Sequence, residues 1–120
     1  MRTIKFRGKD FSGVWWYGFL SSIGGNPVIL PQKCTGSSIY VDEETVGQFT
    51  GLQDAEGVDI YEGDLLLSHE NGEVFEVVYD APRFCFKDND FGFRFLNRPE
   101  NFCVIGNVYD EHKEGGDHDK

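Results

Sequence analysis

Residues 65–79 read Leu-Leu-Leu-Ser-His-Glu-Asn-Gly-Glu-Val-Phe-Glu-Val-Val-Tyr, and this stretch decides the fold class. Two apolar runs flank the pair Asn71-Gly72. Asn-Gly is favoured in the tight turns of β-hairpins, because both residues accept left-handed backbone conformations. The stretch therefore predicts two antiparallel strands, Leu65–His69 and Glu73–Tyr79, joined by a tight turn.

Aromatic residues alternate with other residues on the C-terminal side of this hairpin. Phe-Cys-Phe at 84–86 lies between basic residues, Phe-Gly-Phe-Arg-Phe at 91–95 repeats the alternation, and 102–109 is a further apolar run. A period of two is typical of strands with one buried face. Five short strands from Leu65 to Tyr109, linked by turn residues, predict a C-terminal SH3-like small barrel or a strongly bent sheet.

The N-terminal side of the chain also predicts strands. Residues 4–9 alternate apolar and basic side chains, which indicates a half-buried strand. Residues 14–20, Val-Trp-Trp-Tyr-Gly-Phe-Leu, are apolar on both faces and predict a buried strand paired with the first. We expect a loop at 21–26, a short strand at 27–30 and a further strand at 38–41.

Turn residues separate the middle strands. Asp42 is a good helix N-cap, so we expect a single helical turn after it, and Gly47 and Gly51 argue against a longer helix. Asp-Ala-Glu-Gly at 54–57 and Glu-Gly-Asp at 62–64 are predicted turns.

The composition fits one β-rich domain. The chain has 120 residues, with eleven Phe, five Tyr and two Trp to fill a core and 15 Gly to form turns. We predict a mainly β fold of short antiparallel strands, with a β-rich α+β fold as the alternative. A single domain is expected over residues 1–109, or else two subdomains at 1–60 and 61–109. Residues 110–120 are polar and acidic, and are predicted to be disordered.

The charges are segregated along the chain, whose net charge is −10. Residues 1–33 contain five Lys or Arg and one acid, whereas residues 34–82 contain twelve Asp or Glu and no Lys or Arg. The net charge repels phosphates and anionic lipids, so direct nucleic-acid binding and membrane association are disfavoured. The acidic stretch is either a solvated surface or the complement of a basic surface on this chain, a second copy or another protein.

The sequence predicts a cytoplasmic protein. The alternation of charged and apolar residues at 1–7 is unlike a signal peptide, and no window is apolar enough to span a membrane. The three cysteines, Cys34, Cys85 and Cys103, are odd in number and lack C-x-x-C spacing, which is expected of reduced and inert thiols.

The best candidates for chemistry are Asp59, Glu62 and Asp64. Crowded carboxylates can raise one another's pKa or hold a divalent cation. The same residues also suit a turn, in which an Asp side chain accepts hydrogen bonds from backbone N–H groups. The sequence contains no glycine-rich phosphate loop and no nucleophile motif. We therefore predict no catalytic residue, no metal ligand and no cofactor.

Trp15 and Trp16 are candidate contact residues, together with Lys5 and Arg7. Adjacent residues on a strand point to opposite faces, so at most one tryptophan can enter a given core. The other faces solvent, a second layer or a partner. Lys5 and Arg7 lie on the basic face of the first predicted strand, where an acidic surface could dock.

The middle of the chain resembles a known family. Residues 45–54, Thr-Val-Gly-Gln-Phe-Thr-Gly-Leu-Gln-Asp, are followed by Gly57 and by Ile-Tyr-Glu-Gly-Asp-Leu at 60–65. This block resembles the signature of the YopX family of phage and prophage proteins. The ends at 2–8 and 104–109 resemble that family too, whereas residues 19–40 match no part of its pattern. The resemblance implies a β-rich fold and an origin on a mobile element of a bacterial cell. It implies no catalytic residue, substrate or cofactor.

Three hypotheses for function follow. The favoured one is a non-enzymatic protein-interaction module that self-associates into a homo-oligomer or binds another protein. The second is an acidic nucleic-acid mimic, or a regulator of a DNA-binding protein, because the acidic stretch could occupy a basic groove. The third is a metal-dependent enzyme that uses Asp59, Glu62 and Asp64.

Overall fold

The computed structural model describes residues 4–31, 36–80, 83–88, 92–95 and 98–110. Within these ranges the chain forms eleven strands and two short 3-10 helices, so the prediction of a mainly β fold is confirmed. No helix in these ranges is long and apolar enough to cross a membrane. The strands are β1 (Phe6–Lys9), β2 (Trp15–Ile23), β3 (Asn26–Pro31), β4 (Ile39–Tyr40), β5 (Gly47–Gln53), β6 (Asp59–Tyr61), β7 (Asp64–Ser68), β8 (Val74–Asp80), β9 (Arg83–Asp88), β10 (Gly92–Phe95) and β11 (Phe102–Asn107), and the 3-10 helices are η1 (Glu43–Thr45) and η2 (Pro99–Asn101).

The strands form two antiparallel sheets. The first has the order β4-β3-β2-β1-β5-β6 and the second has the order β10-β9-β8-β7-β11. Closure of the second sheet would require its edge strands β10 and β11 to pair, but β10 pairs with β9 and β11 pairs with β7. In the described part of the chain the C-terminal strands therefore form an open sheet, and the predicted SH3-like closed barrel is not found.

The chain divides into two compact units, residues 1–51 and 52–120, and the boundary falls inside β5. The single domain predicted over residues 1–109, with its alternative subdomains at 1–60 and 61–109, stays a prediction.

Two glycines allow the strands of the first unit to pack closely. A Cβ atom at Gly18 of β2 would lie 2.1 Å from the carbonyl oxygen of Leu30 on β3. A Cβ atom at Gly8 of β1 would lie 2.8 Å from Cγ2 of Val41, whose side chain is only 2 % exposed. Any larger residue would separate these elements, because interiors are packed too densely to absorb an added methyl group at such distances.

The second unit has a compact hydrophobic core. Ile60, Leu66 and Val77 are completely buried there. The rings of Phe75 and Phe102 meet edge to face, with centroids 5.9 Å apart and an interplanar angle of 87°. These residues come from β6, β7, β8 and β11, so burial of their apolar surface stabilises the antiparallel β8-β7-β11 arrangement.

The hairpin predicted at 65–79 is confirmed as β7 and β8, but its connection is longer than expected. The Ser68 N–H donates to the Glu73 carbonyl, and the Gly72 N–H donates to the Ser68 carbonyl. Only Gly72 has a positive φ, of 76°, among the loop residues, and Asn71 does not. The loop therefore spans four residues, 69–72, with one left-handed glycine, in place of the predicted connection at 70–72.

The prediction for residues 14–26 is wrong in two respects. We expected a buried strand ending at Leu20, and then a loop. In the structure β2 continues to Ile23, and Gly18 is its only buried residue. Gly24 and Gly25 have φ values of 59° and 84°, so they form a two-residue turn of the type that matches strand twist, and Ile23 pairs with Asn26.

The predicted helical turn is confirmed at η1, where the Asp42 side chain accepts a hydrogen bond from the Glu44 N–H at 3.1 Å. No strand was predicted at 47–53, where β5 lies; Gly47 and Gly51 had served only to argue against a longer helix. The predicted disorder at 110–120 falls outside the described residues except for Asp110. The Asp110 side chain accepts a hydrogen bond from the Asn107 amide at 3.1 Å.

Candidate interaction surface

The structure uses Asp64 to form a turn. The Asp64 carboxylate is buried, with 1 % of the residue exposed, and accepts a hydrogen bond from the Tyr61 N–H at 2.7 Å. Gly63, inside this turn, has a φ of 94°. The Gly63 N–H donates to the Val77 carbonyl, and its own carbonyl accepts from the Val108 N–H, both at 2.9 Å. The turn interpretation of the sequence therefore accounts for the position of Asp64.

The other two predicted carboxylates are only half-buried. Asp59 on β6 accepts a hydrogen bond from the Gln53 side-chain amide at 3.0 Å. Glu62 lies in the turn before β7. Within the described ranges, no group of three His, Cys, Asp or Glu side chains has an arrangement that could hold a metal ion. The observed contacts of Asp59 and Asp64 stabilise β6 and the turn that follows it.

Asp54 is a buried carboxylate that accepts three backbone hydrogen bonds, and the sequence analysis assigned it only to a turn. Its Oδ1 accepts from the N–H groups of Glu56 at 2.8 Å and Val58 at 2.9 Å, and its Oδ2 accepts from the Val104 N–H at 2.9 Å. Burial raises the pKa of the Asp54 carboxyl, but these three hydrogen bonds and the nearby His69 outweigh burial and lower the pKa. One buried side chain thus joins the 54–58 turn to β11.

The two tryptophans have different partners on opposite faces of the first sheet. Trp15 pairs with Lys9 across the β1–β2 ladder, and the Arg7 guanidinium lies 4.8 Å from the Trp15 ring centroid. The Lys9 ammonium lies 5.8 Å from the same ring. Trp16 instead donates its Nε1–H to Oδ2 of Asp10 at 2.9 Å. Both rings are half-buried, so the structure accounts for both within the first unit.

Asp10 organises the β1–β2 turn. Besides Trp16, its carboxylate accepts hydrogen bonds from the Ser12 N–H, the Ser12 hydroxyl and the Val14 N–H at 2.7–2.9 Å. These bonds, that from Trp16 first, hold the pKa of Asp10 well below its usual value. The ionised Asp10 carboxylate therefore stabilises the β1–β2 turn.

The predicted basic face is observed on β1, but aromatic rings lie beside its cations. The Lys5 ammonium lies 4.8 Å from the centroid of Phe49 on β5. Arg7 is 5 % exposed and contacts Trp15, as does Lys9. These cation–π contacts place the three basic side chains against rings of the same unit. The structure shows aromatic contacts for Lys5 and Arg7, and the docking of an acidic surface against them stays a prediction.

The outer part of the β2–β3 hairpin is exposed on both faces, and we call it the arm. It consists of residues 19–26, each of which is exposed. Because successive strand residues point to opposite faces, continuous exposure means that neither face of the arm is covered by the part of the chain that the structure describes. Residues 14–32 also carry no charged side chain. The arm is therefore an uncharged segment of a strongly acidic protein, with Phe19, Leu20 and Ile23 as its large apolar residues.

One face of the arm continues the row of Trp15. Tyr17, Phe19 and Ile23 follow at intervals of two or four residues and are 45, 59 and 47 % exposed. We call these three residues, of which Tyr17 directly precedes the arm, the aromatic face of the arm. Ordinary half-buried strands place such residues inward, so the exposure of three together on one strand makes this face a candidate contact surface.

Residues of the arm contribute to the lining of two cavities. One, of about 450 Å³, is lined by Leu20, Pro27, Glu43 and Val46 among others. The second, of about 520 Å³, has Pro27 and Glu43 in its lining too, together with Phe11, Tyr40, Val41, Asp42 and Asn26. We call the two cavities together the Glu43 groove. Its walls combine apolar surface with carboxylates.

The amino-acid sequence matches the model of a known protein family. The model described as "YopX protein" matches residues 20–113, which is most of the chain. The chain belongs to the YopX family. The match includes nearly all of 19–40, the region where the sequence analysis found no counterpart, and so it includes the arm from residue 20 onward. The N-terminal motif at 2–8, whose resemblance to the family was noted above, lies outside the matched residues.

A solved structure shares the fold of this YopX-family chain. The crystal structure of protein EF1440 from Enterococcus faecalis is similar with a TM-score of 0.61 and 23 % identity, over 95 % of this chain and 99 % of that one. At this identity the likeness concerns the fold alone. Among curated proteins, none matches the sequence significantly.

Two of the features that the sequence analysis missed had local sequence signals, and a third had none. Gly24-Gly25 between apolar runs is a recognised hairpin signal, and it would have extended the predicted β2 into the arm. Asp54 followed by Gly57 is typical of a turn in which the Asp side chain accepts backbone N–H groups. The bond from Asp54 to Val104 had no local signal, because the two residues are 50 positions apart.

Proposed function

We propose that this YopX-family protein is a non-enzymatic protein-interaction module that self-associates through the aromatic face of its arm. The observation that supports the proposal is the exposure of Tyr17, Phe19 and Ile23 along β2, which pairs with β1 up to Gly18 and with β3 beyond it. Soluble proteins seldom expose several large apolar side chains side by side unless a partner covers them.

A second copy is the partner that the charges favour. Two copies of a chain with a net charge of −10 repel each other. In a two-fold symmetric contact the same residues of both copies meet, so a charged contact surface would place like charges together. Residues 14–32 avoid this, because they carry no charge. A different partner for an acidic protein would more commonly be matched by complementary charge.

The exposed rings are large enough for a weak, concentration-dependent association. About half of each of Tyr17 and Phe19 is exposed, which is roughly 100 Å² per residue. Covering these rings in two copies would remove roughly 400 Å² from water, worth about 10 kcal/mol before the entropic cost of association. That cost is about 4–15 kcal/mol, so the net affinity depends on how well the remaining arm residues fit.

The non-enzymatic part of the proposal is supported by the roles of the buried or hydrogen-bonded carboxylates. Asp54 and Asp64 accept backbone N–H groups, and Asp10 organises a turn. These contacts give each carboxylate a structural function. The acidic nucleic-acid mimic, the metal-dependent enzyme using Asp59, Glu62 and Asp64, and the cytoplasmic location stay predictions from the sequence.

Sedimentation velocity of matched variants tests the proposal. We expect the wild-type protein to dimerise at roughly tens of micromolar, and Phe19→Ser or Ile23→Ser to shift it to the monomer by weakening an apolar contact. Val74→Ser is the control, because Val74 and Ile23 are both 47 % exposed and Val74 lies on β8. Added salt should strengthen the dimer, because it screens the repulsion between acidic copies.

Two results would contradict this proposal. The first is a wild-type protein that stays monomeric at every salt concentration up to roughly millimolar protein. The second is an oligomer that responds equally to Phe19→Ser and Val74→Ser. An oligomer that dissociates as salt rises would point instead to paired basic and acidic faces, and would also count against the arm.

A further inference from the structure

The lining of the Glu43 groove includes none of Tyr17, Phe19 and Ile23. From the arm, Leu20, Ser21, Ser22 and Gly25 line the first cavity, and Asn26 lines the second. A ligand in the groove would therefore contact different side chains from those proposed for self-association.

Each cavity has apolar walls. Leu20, Pro27 and Val46 contribute them on one side, and Phe11, Pro27 and Val41 contribute them on the other. Volumes of about 450 and 520 Å³ lie within the usual range of roughly 300–1,000 Å³ for ligand sites. Pro27 and Glu43 line both cavities, so the two are neighbours. The groove can therefore accept an apolar side chain on each side of Glu43.

The charge of the groove is negative. Glu43 is exposed and lines both cavities, and Asp42 lines the second. Among the residues that the structure describes, no Lys or Arg lines either cavity, and residues 34–82 contain none in the sequence. A carboxylate between two apolar cavities is complementary to a cation between two apolar groups, because guanidinium and ammonium groups form charge-assisted hydrogen bonds to carboxylates.

We infer that the Glu43 groove binds an extended segment of a partner protein that carries Arg or Lys with an apolar residue two positions away on each side. In an extended segment, residues two apart point to the same side, so the apolar, basic and apolar side chains would all face the groove. The apolar residues would enter the two cavities, and the cation would meet the Glu43 carboxylate between them.

Binding of two capped pentapeptides, followed by NMR chemical shifts, tests the inference. The probe is Leu-Ser-Arg-Ser-Leu and its matched control is Leu-Ser-Glu-Ser-Leu. We expect the Arg peptide to bind, weakly because it is short, and the Glu peptide not to bind. Glu43→Gln should weaken binding of the Arg peptide at least about fivefold, because the charge of the acceptor is lost.

Glu44→Gln is the control variant, because Glu44 is an exposed neighbour on η1 that lines neither cavity. It should bind the Arg peptide within about twofold of the wild type. Thermal unfolding of both variants verifies that the fold is kept. Repeating the titration in the Phe19→Ser background separates this inference from self-association, since the groove should bind equally well in a monomer.

Three outcomes would overturn the inference. One is equal binding of the Arg and Glu peptides. Another is an equal loss of affinity in Glu43→Gln and Glu44→Gln, which would indicate general attraction to an acidic protein. The last is a change in the oligomeric state on Glu43→Gln, which would show that a second copy occupies the groove.

Discussion

Replacing Asp54 with asparagine is expected to destabilise the protein through one bond in particular. An asparagine can keep a carbonyl oxygen at the position of Oδ1, where it would still accept from the Glu56 and Val58 N–H groups. Its amide nitrogen would then stand 2.9 Å from the Val104 nitrogen, where Oδ2 now accepts. Two donors would face each other, and the Val104 N–H would lose its partner.

The size of the effect follows from these contacts. A hydrogen bond to a charged group is worth about 1.5–3 kcal/mol, and Asp54 is only 6 % exposed, so water does not readily replace it. We expect Asp54→Asn to lower the free energy of unfolding by about 2–3 kcal/mol. Asp54→Ala also frees the N–H groups of Glu56 and Val58. Because these two turn residues are exposed, water can bind their N–H groups, so the total cost should be only slightly higher, about 3–4 kcal/mol.

Urea unfolding followed by circular dichroism measures these differences. Glu56→Gln is the matched control, since it makes the same carboxylate-to-amide change at an exposed residue of the same turn. It should alter the free energy of unfolding by less than about 0.5 kcal/mol. An Asp54→Asn variant as stable as Glu56→Gln would refute the argument, because it would show that the bond to Val104 contributes nothing measurable.

The same residue gives a pH dependence. The Asp54 pKa is lower in the folded protein than in the unfolded chain, whose Asp pKa is about 3.9. The native state therefore binds fewer protons than the unfolded state in this window, so stability rises with pH. The contribution of Asp54 should be complete above about pH 5 and should be lost as pH falls through the native pKa. Asp54→Asn should show a shallower loss of stability below about pH 4.

Three further predictions concern other described residues. Gly18→Ala should destabilise the protein by more than about 2 kcal/mol in urea unfolding, because its Cβ would lie 2.1 Å from the Leu30 carbonyl oxygen, and a wild-type midpoint would refute this close approach. Asp10→Asn should shift the indole N–H resonance of Trp16 in NMR spectra. In the wild type the same resonance should stay constant from roughly pH 5 to pH 3, because the Asp10 pKa is held low. A pH-dependent shift of the resonance in this range would contradict the Trp16–Asp10 hydrogen bond. Asp64→Ala should lower the melting temperature by an amount that is the same with magnesium and with a chelator, since Asp64 accepts a backbone N–H; a metal-dependent difference would revive the enzyme hypothesis.

Local sequence signals predicted the elements whose determinants lie close together in the chain. The hairpin at 65–79 and the single turn after Asp42 follow from apolar alternation and an N-cap, and both are observed. The length of the hairpin loop did not follow, because Asn71-Gly72 permits a tight turn without requiring it. In the structure a four-residue loop with one left-handed glycine closes the hairpin instead, through the Ser68–Glu73 and Gly72–Ser68 backbone hydrogen bonds.

The burial of strand residues could not be predicted from local sequence signals. An apolar run such as 14–20 is typical of a core strand, but whether it is covered depends on which elements pack against it. Trp15 illustrates the difficulty, since cations on β1 lie over its ring and no sequence rule pairs them. The strand β5 was missed for the opposite reason: Gly47 and Gly51 lower the β propensity of a segment that pairing with β1 nevertheless stabilises.

The hydrogen bond from Val104 to Asp54 has a consequence for the order of folding. It links chain positions 50 residues apart, and closing so long a segment costs entropy before any bond across it can form. We expect the β7–β8 hairpin to form early and this link to form late, after the transition state. Asp54→Asn should then accelerate unfolding and leave the refolding rate nearly unchanged in stopped-flow experiments. A slower refolding rate would place β11 in the folding nucleus.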